Sequence, residues 1–442
     1  MKTKFKQTEI GMVPEEWEVA SVSDLADIYI GGTPKTKVGE YWNGDIKWAS
    51  AKDVSNCRSR YIYNTERTIT NTGIKNSNAK IFPKDTLVIT SRGTVGKLAL
   101  LSEPMSFNQT CYGLVAKKQT IPLFLYYKLR DSIYKILSAS YGTIFDTITT
   151  KTFIDLKLGI PPLHEQHFIV KILSDLDSKI ELNQKMNKTL EAIGQAIFKH
   201  WFIDFEFPDE KGRPYKSSGG EMVYSEELGK EIPKGWAVIP LDQAAEFTRG
   251  FSYRGSEKSK TDGEYAFVTL NSVKEFGGFK REFSYITSDR VKEKHFVQLG
   301  DIVISNTEQT KTGTLLGYPA LVEFPFQYEK GKGIFSHHIT KATPKLENLK
   351  HYLYHHLFIY QQNAVKYHTG SVIWALDVAN WSKNERIILP SQETLRKFES
   401  FVENIFLKSI ENNLEVETLS RIRDSLLPKL MSGKIRVPIE AT

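Results

Sequence analysis

The stretch Val13-Pro14-Glu15-Glu16-Trp17-Glu18-Val19 decides the fold, because it recurs 219 positions later as Ile232-Pro233-Lys234-Gly235-Trp236-Ala237-Val238. At the same spacing, Gly31 corresponds to Gly250. An internal repeat of this length indicates two tandem copies of one domain.

Two further matches follow in the same order. Gly142-Thr143-Ile144 corresponds to Gly370-Ser371-Val372, and Ile160-Pro161-Pro162 to Ile388-Leu389-Pro390, both 228 positions apart. A long helical pattern follows each proline segment, and its only internal proline is Pro428 in the second copy. Each half therefore predicts a mixed domain of helices and strands that ends in one long helix.

Apolar residues in both helical segments step alternately by four and three positions, the heptad pattern of a coiled coil. Such a helix cannot bury its apolar stripe alone, so we expect an antiparallel pair within the chain, with the domains at opposite ends. Packing of each helix on its own domain only is the alternative. The predicted seam residues are Ile169, Leu173, Leu176, Ile180, Asn183, Asn187, Leu190, Phe398, Val402, Ile405, Asn412, Val416 and Leu419.

The middle of this seam is polar. Asn183 and Asn187 would lie opposite Ser409 and Asn412, and buried polar pairs of this kind set coiled-coil register at some loss of stability. A helix of about forty residues is about 60 Å long, which corresponds to roughly seventeen base pairs of duplex DNA. The pattern predicts two similar heads at a fixed spacing.

These patterns predict an α+β fold class: two tandem mixed α/β domains separated by two long helices in an antiparallel intramolecular coiled coil, with a pseudo-two-fold repeat. Gly212, Pro214 and Ser217-Ser218-Gly219-Gly220 indicate a linker between the halves. The predicted segments are 1–160 for the first domain, 161–206 for the central helix, 207–231 for the linker, 232–389 for the second domain and 390–436 for the C-terminal helix.

The composition is that of an ordinary globular protein, with 40% hydrophobic and 25% charged residues among 442. No apolar run is long enough for a transmembrane helix, and the first residues lack the apolar core of a signal peptide. Cys57 and Cys111 are too few for a disulfide framework, so we expect a reduced, cytoplasmic protein. The net charge of +7 permits a polyanionic partner.

Two similar segments, Pro83–Ser91 and Leu299–Ser305, each combine a polar turn with a strand rich in β-branched residues. The segment after the first, Ser91–Leu98, is similar to a phosphate loop, but two residues instead of four separate its glycines. We interpret it as a hairpin, and Arg92 and Thr94 as donors to DNA phosphate are the alternative.

Metal-binding and catalytic motifs are missing from the sequence. His164-Glu165-Gln166-His167 spaces its histidines by three positions where zinc proteases need four. His351, His355 and His356 have no evident cysteine or carboxylate cluster, so we expect surface or packing roles. A nucleophile elbow, a dinucleotide loop and the Pro-Pro-aromatic tetrad of amino-methyltransferases are also missing, so we expect neither a catalytic site nor a metal.

The order of these segments resembles one known family. The repeated motifs at Trp17 and Trp236, the central Ile197–Phe205, the linker Gly212–Met222 and the terminal Leu426–Ile435 are together similar to the specificity subunits of type I restriction-modification systems. The resemblance covers essentially the whole chain. It implies a non-catalytic, DNA-reading subunit whose two target recognition domains each read half of an asymmetric bipartite site, while the coiled coil sets the spacer.

The resemblance also implies the partners. They are double-stranded DNA, two modification subunits that carry S-adenosylmethionine and methylate adenine N6, and restriction subunits that use ATP and Mg to cleave unmethylated DNA in phage defence. This chain would bind no cofactor and no membrane, in the cytoplasm of a bacterium or archaeon. A coiled-coil scaffold without DNA recognition and a self-contained DNA-modifying enzyme with an unrecognised site are the alternatives.

Side chains that could contact DNA lie in polar loops that border predicted strands. Arginine suits guanine edges, asparagine and glutamine suit adenine, and lysine, serine and threonine suit phosphate. A turn or a solvated surface is the alternative for each. The candidates are Lys35, Lys37, Lys52, Arg92, Thr94, Asn108, Gln109 and Tyr141 in the first domain, and Arg249, Tyr253, Arg254, Asn271, Asn306, Lys311, His337, His338 and His368 in the second.

Glycines and terminal basic residues suggest structural roles as well. We expect positive φ angles, typical of turns, at Gly31, Gly32, Gly142 and Gly370. Near the C-terminus, either contact with DNA phosphate or stabilisation of the helix end is open for Lys429, Lys434 and Arg436.

Overall fold

A computed structural model describes residues 4–139, 147–324 and 333–437, which belong to two compact units. Unit 1 consists of Met1–Gln184 and Glu415–Thr442, and unit 2 of Lys185–Leu414. Tyr141 and the Gly142-Thr143-Ile144 match lie outside the described residues. Among the helices described, none combines the length and apolar character that crossing a membrane requires.

Unit 1 contains twelve described strands and five short or medium helices. The strands are β1 (Phe5–Thr8), β2 (Gly11–Pro14), β3 (Glu18–Ser21), β4 (Ala26–Ile30), β5 (Trp42–Ala49), β6 (Tyr61–Ile62), β7 (Arg67–Ile69), β8 (Leu87–Thr90), β9 (Leu98–Leu101), β10 (Ser106–Phe107), β11 (Cys111–Ala116) and β12 (Lys157–Ile160). The helices are α1 (Val22–Leu25), α2 (Ala51–Asn56), α3 (Asn71–Lys75), α4 (Pro122–Ala139) and α5 (Thr150–Asp155), with a 3₁₀ turn at Gly39–Tyr41.

The main sheet of unit 1 has the order β4-β11-β8-β9-β6, antiparallel except for the parallel pair β6 and β9. A second sheet is β10-β5-β7, and the pairs β1-β2 and β3-β12 stand apart. Along β8, Leu87 and Ile89 join one core with Phe124 of α4, whereas Val88 joins another with Phe107. This alternation buries β8 on both faces of the sheet. Since β8 and β9 pair as a hairpin, that interpretation of Ser91–Leu98 is confirmed.

Unit 2 repeats this arrangement with additional strands. They are β13 (Met222–Ser225), β14 (Lys230–Pro233), β15 (Ala237–Pro240), β16 (Ala245–Arg249), β17 (Lys258–Ser259), β18 (Tyr265–Val268), β19 (Ser284–Ile286), β20 (Phe296–Val297), β21 (Ile302–Ser305), β22 (Thr307–Glu308), β23 (Pro319–Leu321), β24 (Gly333–Phe335), β25 (Ile339–Pro344), β26 (His368–Thr369), β27 (Trp374–Leu376) and β28 (Arg386–Leu389). The long helices α6 (Leu163–Phe198) and α11 (Gln392–Met431) flank its short helices α7 (Leu241–Ala244), α8 (Lys350–Ile359), α9 (Gln361–Val365) and α10 (Val378–Asn384) in the chain. Its 3₁₀ turns are Gly255–Glu257, Leu270–Ser272 and Glu293–His295, and α6 continues into a π-helical turn, Lys199–Ile203.

The sheets of unit 2 are β16-β25-β21-β23, β17-β19-β18-β24-β20 and β22-β27-β26, with the separate pairs β13-β14 and β15-β28. Strand β21 is internal, as β8 is in unit 1. Ile302 and Ile304 join one core, and Val303 joins another. The two predicted turn-and-strand segments therefore form equivalent central strands, which confirms the repeat.

Each unit contains a part of both long helices. In unit 1, Leu173 near the start of α6 shares a core with Leu427 near the end of α11. In unit 2, Phe198 at the end of α6 shares a core with Leu395 and Phe398 near the start of α11. The early part of one helix thus packs on the late part of the other, which confirms the predicted antiparallel coiled coil.

The residues directly before each long helix explain where that helix begins. Pro161 and Pro162 come directly before α6, where their missing amide hydrogens remove no helical hydrogen bond. Before α11, the Ser391 hydroxyl accepts the amide of Thr394 at 3.2 Å and caps the helix.

The segment predicted as a linker, 207–231, is held by aromatic packing and turn hydrogen bonds. The rings of Phe207 and Tyr215 stack at 4.5 Å, and Phe207 also stacks on Trp236 at 4.8 Å. Asp209 holds the turn, because its carboxylate accepts the amides of Lys211 and Arg213 at 2.8 Å. The part of this linker that is rich in glycine and serine therefore has an ordered path along the aromatic side chains.

The glycines that recur in both halves allow another backbone segment to approach closely. A Cβ on Gly31 would lie 2.1 Å from the carbonyl oxygen of Asn108, and one on Gly250 would lie 2.3 Å from that of Ser336. The prediction of positive φ is wrong for Gly31 and Gly32, whose Cβ atoms would meet neighbouring backbone. For Gly370 it is confirmed, with φ of 87°.

Candidate nucleic-acid interface

In unit 1, several candidate residues lie on loops at the end of β8. The turn after this strand carries Arg92 and Thr94, both exposed. The amide and the hydroxyl of Ser91 each donate to the carbonyl oxygen of Thr110 at 2.9 Å. These bonds hold the turn beside the loop that carries Asn108.

The loop after β4 reaches the same place. The Thr33 hydroxyl donates to the side-chain oxygen of the exposed Gln109. Asn108 is half-buried, and its side-chain oxygen accepts the Thr110 hydroxyl at 2.9 Å. Unit 1 therefore brings Arg92, Asn108 and Gln109 together, with donors and acceptors suited to base edges or phosphate.

The lysine candidates of unit 1 lie on the surface. Lys52 on α2 pairs with Glu66 at 2.9 Å, so a carboxylate already balances its charge. The hydroxyls of Ser55 on the same helix and Thr94 are hydrogen-bonded, which places α2 beside the turn after β8. Lys35 and Lys37 are exposed in the segment between β4 and β5.

In unit 2, candidates surround the small sheet β22-β27-β26. Within this sheet, Glu308 is paired with Trp374. The Nδ1 atom of His338 lies 3.1 Å from the Thr307 hydroxyl, and the His368 ring lies 4.3 Å from that of Trp374. Residues far apart in the sequence therefore meet at one surface.

The two adjacent histidines extend this surface. The rings of His337 and His338 are 4.0 Å apart, and Tyr253 lies 5.7 Å from His337. Burial, together with nearby His337 and Arg249, lowers the pKa of His338 below its ordinary value of 6.5. At pH 7 the His338 ring is therefore neutral and offers a hydrogen bond without charge.

Lys311 lies in a loop built around Glu308, a residue that the sequence analysis missed. Glu308 is 1% exposed, and its carboxylate accepts the backbone amides of Thr312, Gly313, Leu315 and Leu316 at 2.8–3.0 Å. The hydroxyls of Thr310 and Thr312 add bonds of 2.8 and 2.9 Å. Burial alone would raise the pKa of this carboxyl, but the hydrogen bonds outweigh it and lower the pKa to about 2.

Three further second-domain candidates differ in their exposure to solvent. Asn306 is buried, and its side-chain NH₂ group donates to the His337 carbonyl oxygen and to the Thr340 hydroxyl, both at 3.1 Å. Because the fold uses both donors, this position argues against the prediction that Asn306 reads a base. Arg254 and Asn271 are exposed.

The coiled-coil seam is buried or half-buried at every predicted position. In unit 2, Asn187 donates to Asn413 and accepts from Asn412, both at 2.8 Å, and its donor also lies 3.2 Å from the Ser409 carbonyl oxygen. In unit 1, Asn183 donates to Glu415 at 2.8 Å, where Ser409 or Asn412 was predicted. The helices are antiparallel, so a residue one turn before Asn187 faces one that follows Asn412.

A second missed group surrounds Glu165, which is 1% exposed at the start of α6. Its carboxylate accepts the indole N–H of Trp17 at 3.0 Å and the Nε of Arg436 at 2.7 Å. Arg436 also donates to Glu16 at 2.6 Å. Two carboxylates of this chain therefore bind its guanidinium group, whereas contact with DNA phosphate or with a helix end had been the two open roles. Lys429 and Lys434 are exposed.

One group among the described residues has the donor set of a metal site: His351, Glu399 and Glu403, whose ligand atoms lie within 4.8 Å of one another. The expectation that no carboxylates accompany His351 was wrong, because α11 supplies them from a distant part of the chain. The Nζ of Lys350 lies 2.8 Å from Glu403, so an ammonium group already pairs with this carboxylate.

The other histidines are separate from that group. His355 and His356 are buried, and burial lowers the pKa of each to about 3, which keeps the rings neutral. Packing is therefore their role. His164 and His167 are exposed at the start of α6.

Known proteins are similar to this chain in both sequence and fold. A family model described as the type I restriction modification DNA specificity domain matches residues 14–192. The specificity subunit of the type I restriction enzyme MjaIX, from Methanocaldococcus jannaschii, is 32% identical over 442 residues, which cover 99% of this chain and 97% of that protein. This chain belongs to the specificity subunits of type I restriction enzymes. The family resemblance predicted from the repeat is thereby confirmed.

Other specificity subunits are similar over shorter lengths or at lower identity. That of the HindI enzyme from Haemophilus influenzae is 26% identical over 377 residues, covering 71% of this chain and 78% of that protein. The crystal structure of a type I S subunit from M. genitalium superposes with a TM-score of 0.57 at 16% identity. It covers 97% of this chain and 99% of that one, which shows the same fold for the specificity subunit.

Proposed function

We propose that this specificity subunit selects the DNA sequence on which a type I restriction-modification complex acts. The domain of residues 1–160 reads one half of an asymmetric bipartite site, and the domain of residues 232–389 reads the other. The subunit has no catalytic site and binds no cofactor. It works in the cytoplasm with double-stranded DNA and two modification subunits.

Equivalent loops that carry different side chains are the observation that supports this proposal. The segments after the equivalent strands β8 and β21 carry Arg92 in unit 1 and Lys311 in unit 2, and the loops before β11 and β25 carry Gln109 and His338. Arginine and glutamine offer donors suited to guanine and adenine edges, and lysine suits phosphate or guanine. Because the two sets differ, we expect an asymmetric recognition sequence.

The long helices have the second role in the proposal. Segments 161–206 and 390–436 set the spacer between the half-sites and dock the modification subunits, which carry S-adenosylmethionine and methylate adenine N6. Restriction subunits with ATP and Mg cleave DNA that lacks this methylation. The polar pairs around Asn187 support a fixed register, because shifting the helices would leave buried amides unpaired.

Co-expression of this chain with its modification subunit, followed by sequencing of adenine methylation in the host DNA, tests the proposal. We expect methylation at one asymmetric bipartite motif, and its loss when this chain is deleted. Methylation that persists without the chain, or no methylation with a modification subunit known to be active, would contradict the DNA-specificity role.

A further inference from the structure

Buried side chains bind the backbone of the loop that follows β22 and hold it in place. Glu308 binds four of its backbone amides, as described above. The buried side chain of Gln361 on α9 donates to the carbonyl oxygens of Gly313, at 3.2 Å, and Leu316. The amide of Phe276 donates to the Thr314 carbonyl oxygen at 2.7 Å. Internal groups therefore fix the backbone of the loop.

The other side of the loop faces solvent. Gln309 and Lys311 are exposed, and Lys311 has a left-handed backbone with φ of 56°. A side chain in this conformation needs surrounding contacts to hold it there. The hydrogen bonds to Glu308 on either side of Lys311 supply them, so the carboxylate determines where Gln309 and Lys311 point.

Unit 1 builds the equivalent turn without a carboxylate. There the Thr90 hydroxyl donates to the Thr94 carbonyl oxygen and accepts the Lys97 amide at 3.0 Å. A change at Glu308 therefore disturbs one of the two recognition loops and leaves the other intact.

We propose that Glu308 is a positioning residue for DNA recognition, which holds the loop 309–314 so that Gln309 and Lys311 contact the second half of the bipartite site. This inference rests on the proposed function and deepens it. Gln309 brings an amide suited to an adenine edge, and Lys311 brings a positive charge suited to phosphate or guanine. The buried carboxylate of Glu308 accepts hydrogen bonds from the loop only, and it does not contact DNA itself.

The test uses the complex of this chain with its modification subunit and three DNA probes. The first probe carries the motif that methylation sequencing defines for the wild type, and the other two have either the first or the second half scrambled. We expect Glu308→Gln to lower affinity for the intact motif about tenfold or more, to the level that the wild type shows when the second half is scrambled. Scrambling the second half should then change nothing further, while scrambling the first half should still weaken binding.

Two more variants connect the effect to the loop. Lys311→Ala should weaken binding in the wild-type background and have no added effect beside Glu308→Gln, because both act through one contact. The matched control is Asp209→Asn, which removes a carboxylate that also holds a turn through backbone amides but lies outside both recognition domains and both long helices. This control should retain dependence on both halves of the motif.

The outcomes separate this inference from the proposed function. If Glu308→Gln and Lys311→Ala still discriminate the second half as the wild type does, Glu308 is not a positioning residue, while the function stands. If Glu308→Gln does not fold, the exposed Lys311→Ala decides alone, and unchanged discrimination overturns the inference. A wild-type complex without any motif dependence overturns both.

Discussion

The carboxylate of Glu308 stays ionised although it is buried, because amides and hydroxyls surround both of its oxygens. Its folded-state pKa of about 2 lies below the ordinary value of 4.5. The ionised carboxylate therefore stabilises unit 2 fully above about pH 4.5, and this contribution is lost as the pH falls towards 2.

We predict that Glu308→Gln lowers the free energy of unfolding by on the order of 3 kcal/mol at pH 7 and by progressively less between pH 4.5 and 2. The reason is that protonated glutamate, like glutamine, cannot accept at every position that the loop requires. Denaturant unfolding of both proteins across this pH range measures the difference. Equal destabilisation at pH 3 and pH 7 would contradict the charge argument.

Individual side-chain roles were the hardest features to predict from sequence. Glu308 carries no local signature, because its partners form a loop whose path exists only after folding. Arg436 was a DNA candidate because it is basic, yet its partner Glu165 comes from the other end of the chain. Gly31 was correctly singled out, but for the wrong reason, since sequence cannot show which backbone will approach it.

At the scale of the elements, Asn187 and Asn412 form a polar pair in the coiled-coil seam of unit 2. We predict that Asn187→Leu lowers the free energy of unfolding by about 1–3 kcal/mol, because it leaves the buried amide of Asn412 without its partner. The double variant Asn187→Leu with Asn412→Leu should recover most of this loss, since two leucines bury apolar surface without unpaired donors. Denaturant unfolding of the single and double variants measures the coupling, and simple additivity would count against the pair.

The elements themselves were largely predictable from local pattern. The prolines at 161–162 and 390 and the heptads that follow located both long helices, because start signals and periodicity are properties of neighbouring residues. The repeat identified β8 and β21 as equivalent. The small sheet β22-β27-β26 was not predictable, because its strands have only two or three residues and β22 pairs with β27 across more than sixty positions.

At the scale of the whole molecule, the proposed spacer function depends on the length of the helix pair. We predict that one heptad inserted into the middle of both α6 and α11, which adds about 10 Å, lengthens the preferred spacer by about three base pairs. Sequencing of methylated sites in cells that express the variant gives the spacer directly. An unchanged spacer would refute the ruler function. Insertion into α6 alone serves as the control, because mismatched helices should lose methylation.

The discontinuous composition of unit 1 has a consequence for synthesis on the ribosome. Unit 2 is one continuous segment, Lys185–Leu414, whereas the core of unit 1 combines Ile169 and Leu173 with Leu427 and Leu430. Bacterial chains emerge at about 5–20 residues per second, so unit 1 waits through the translation of all of unit 2 before its last helical residues appear. During that interval the apolar stripe of α6 lacks its partner, and the first-made unit is the last one to complete its core.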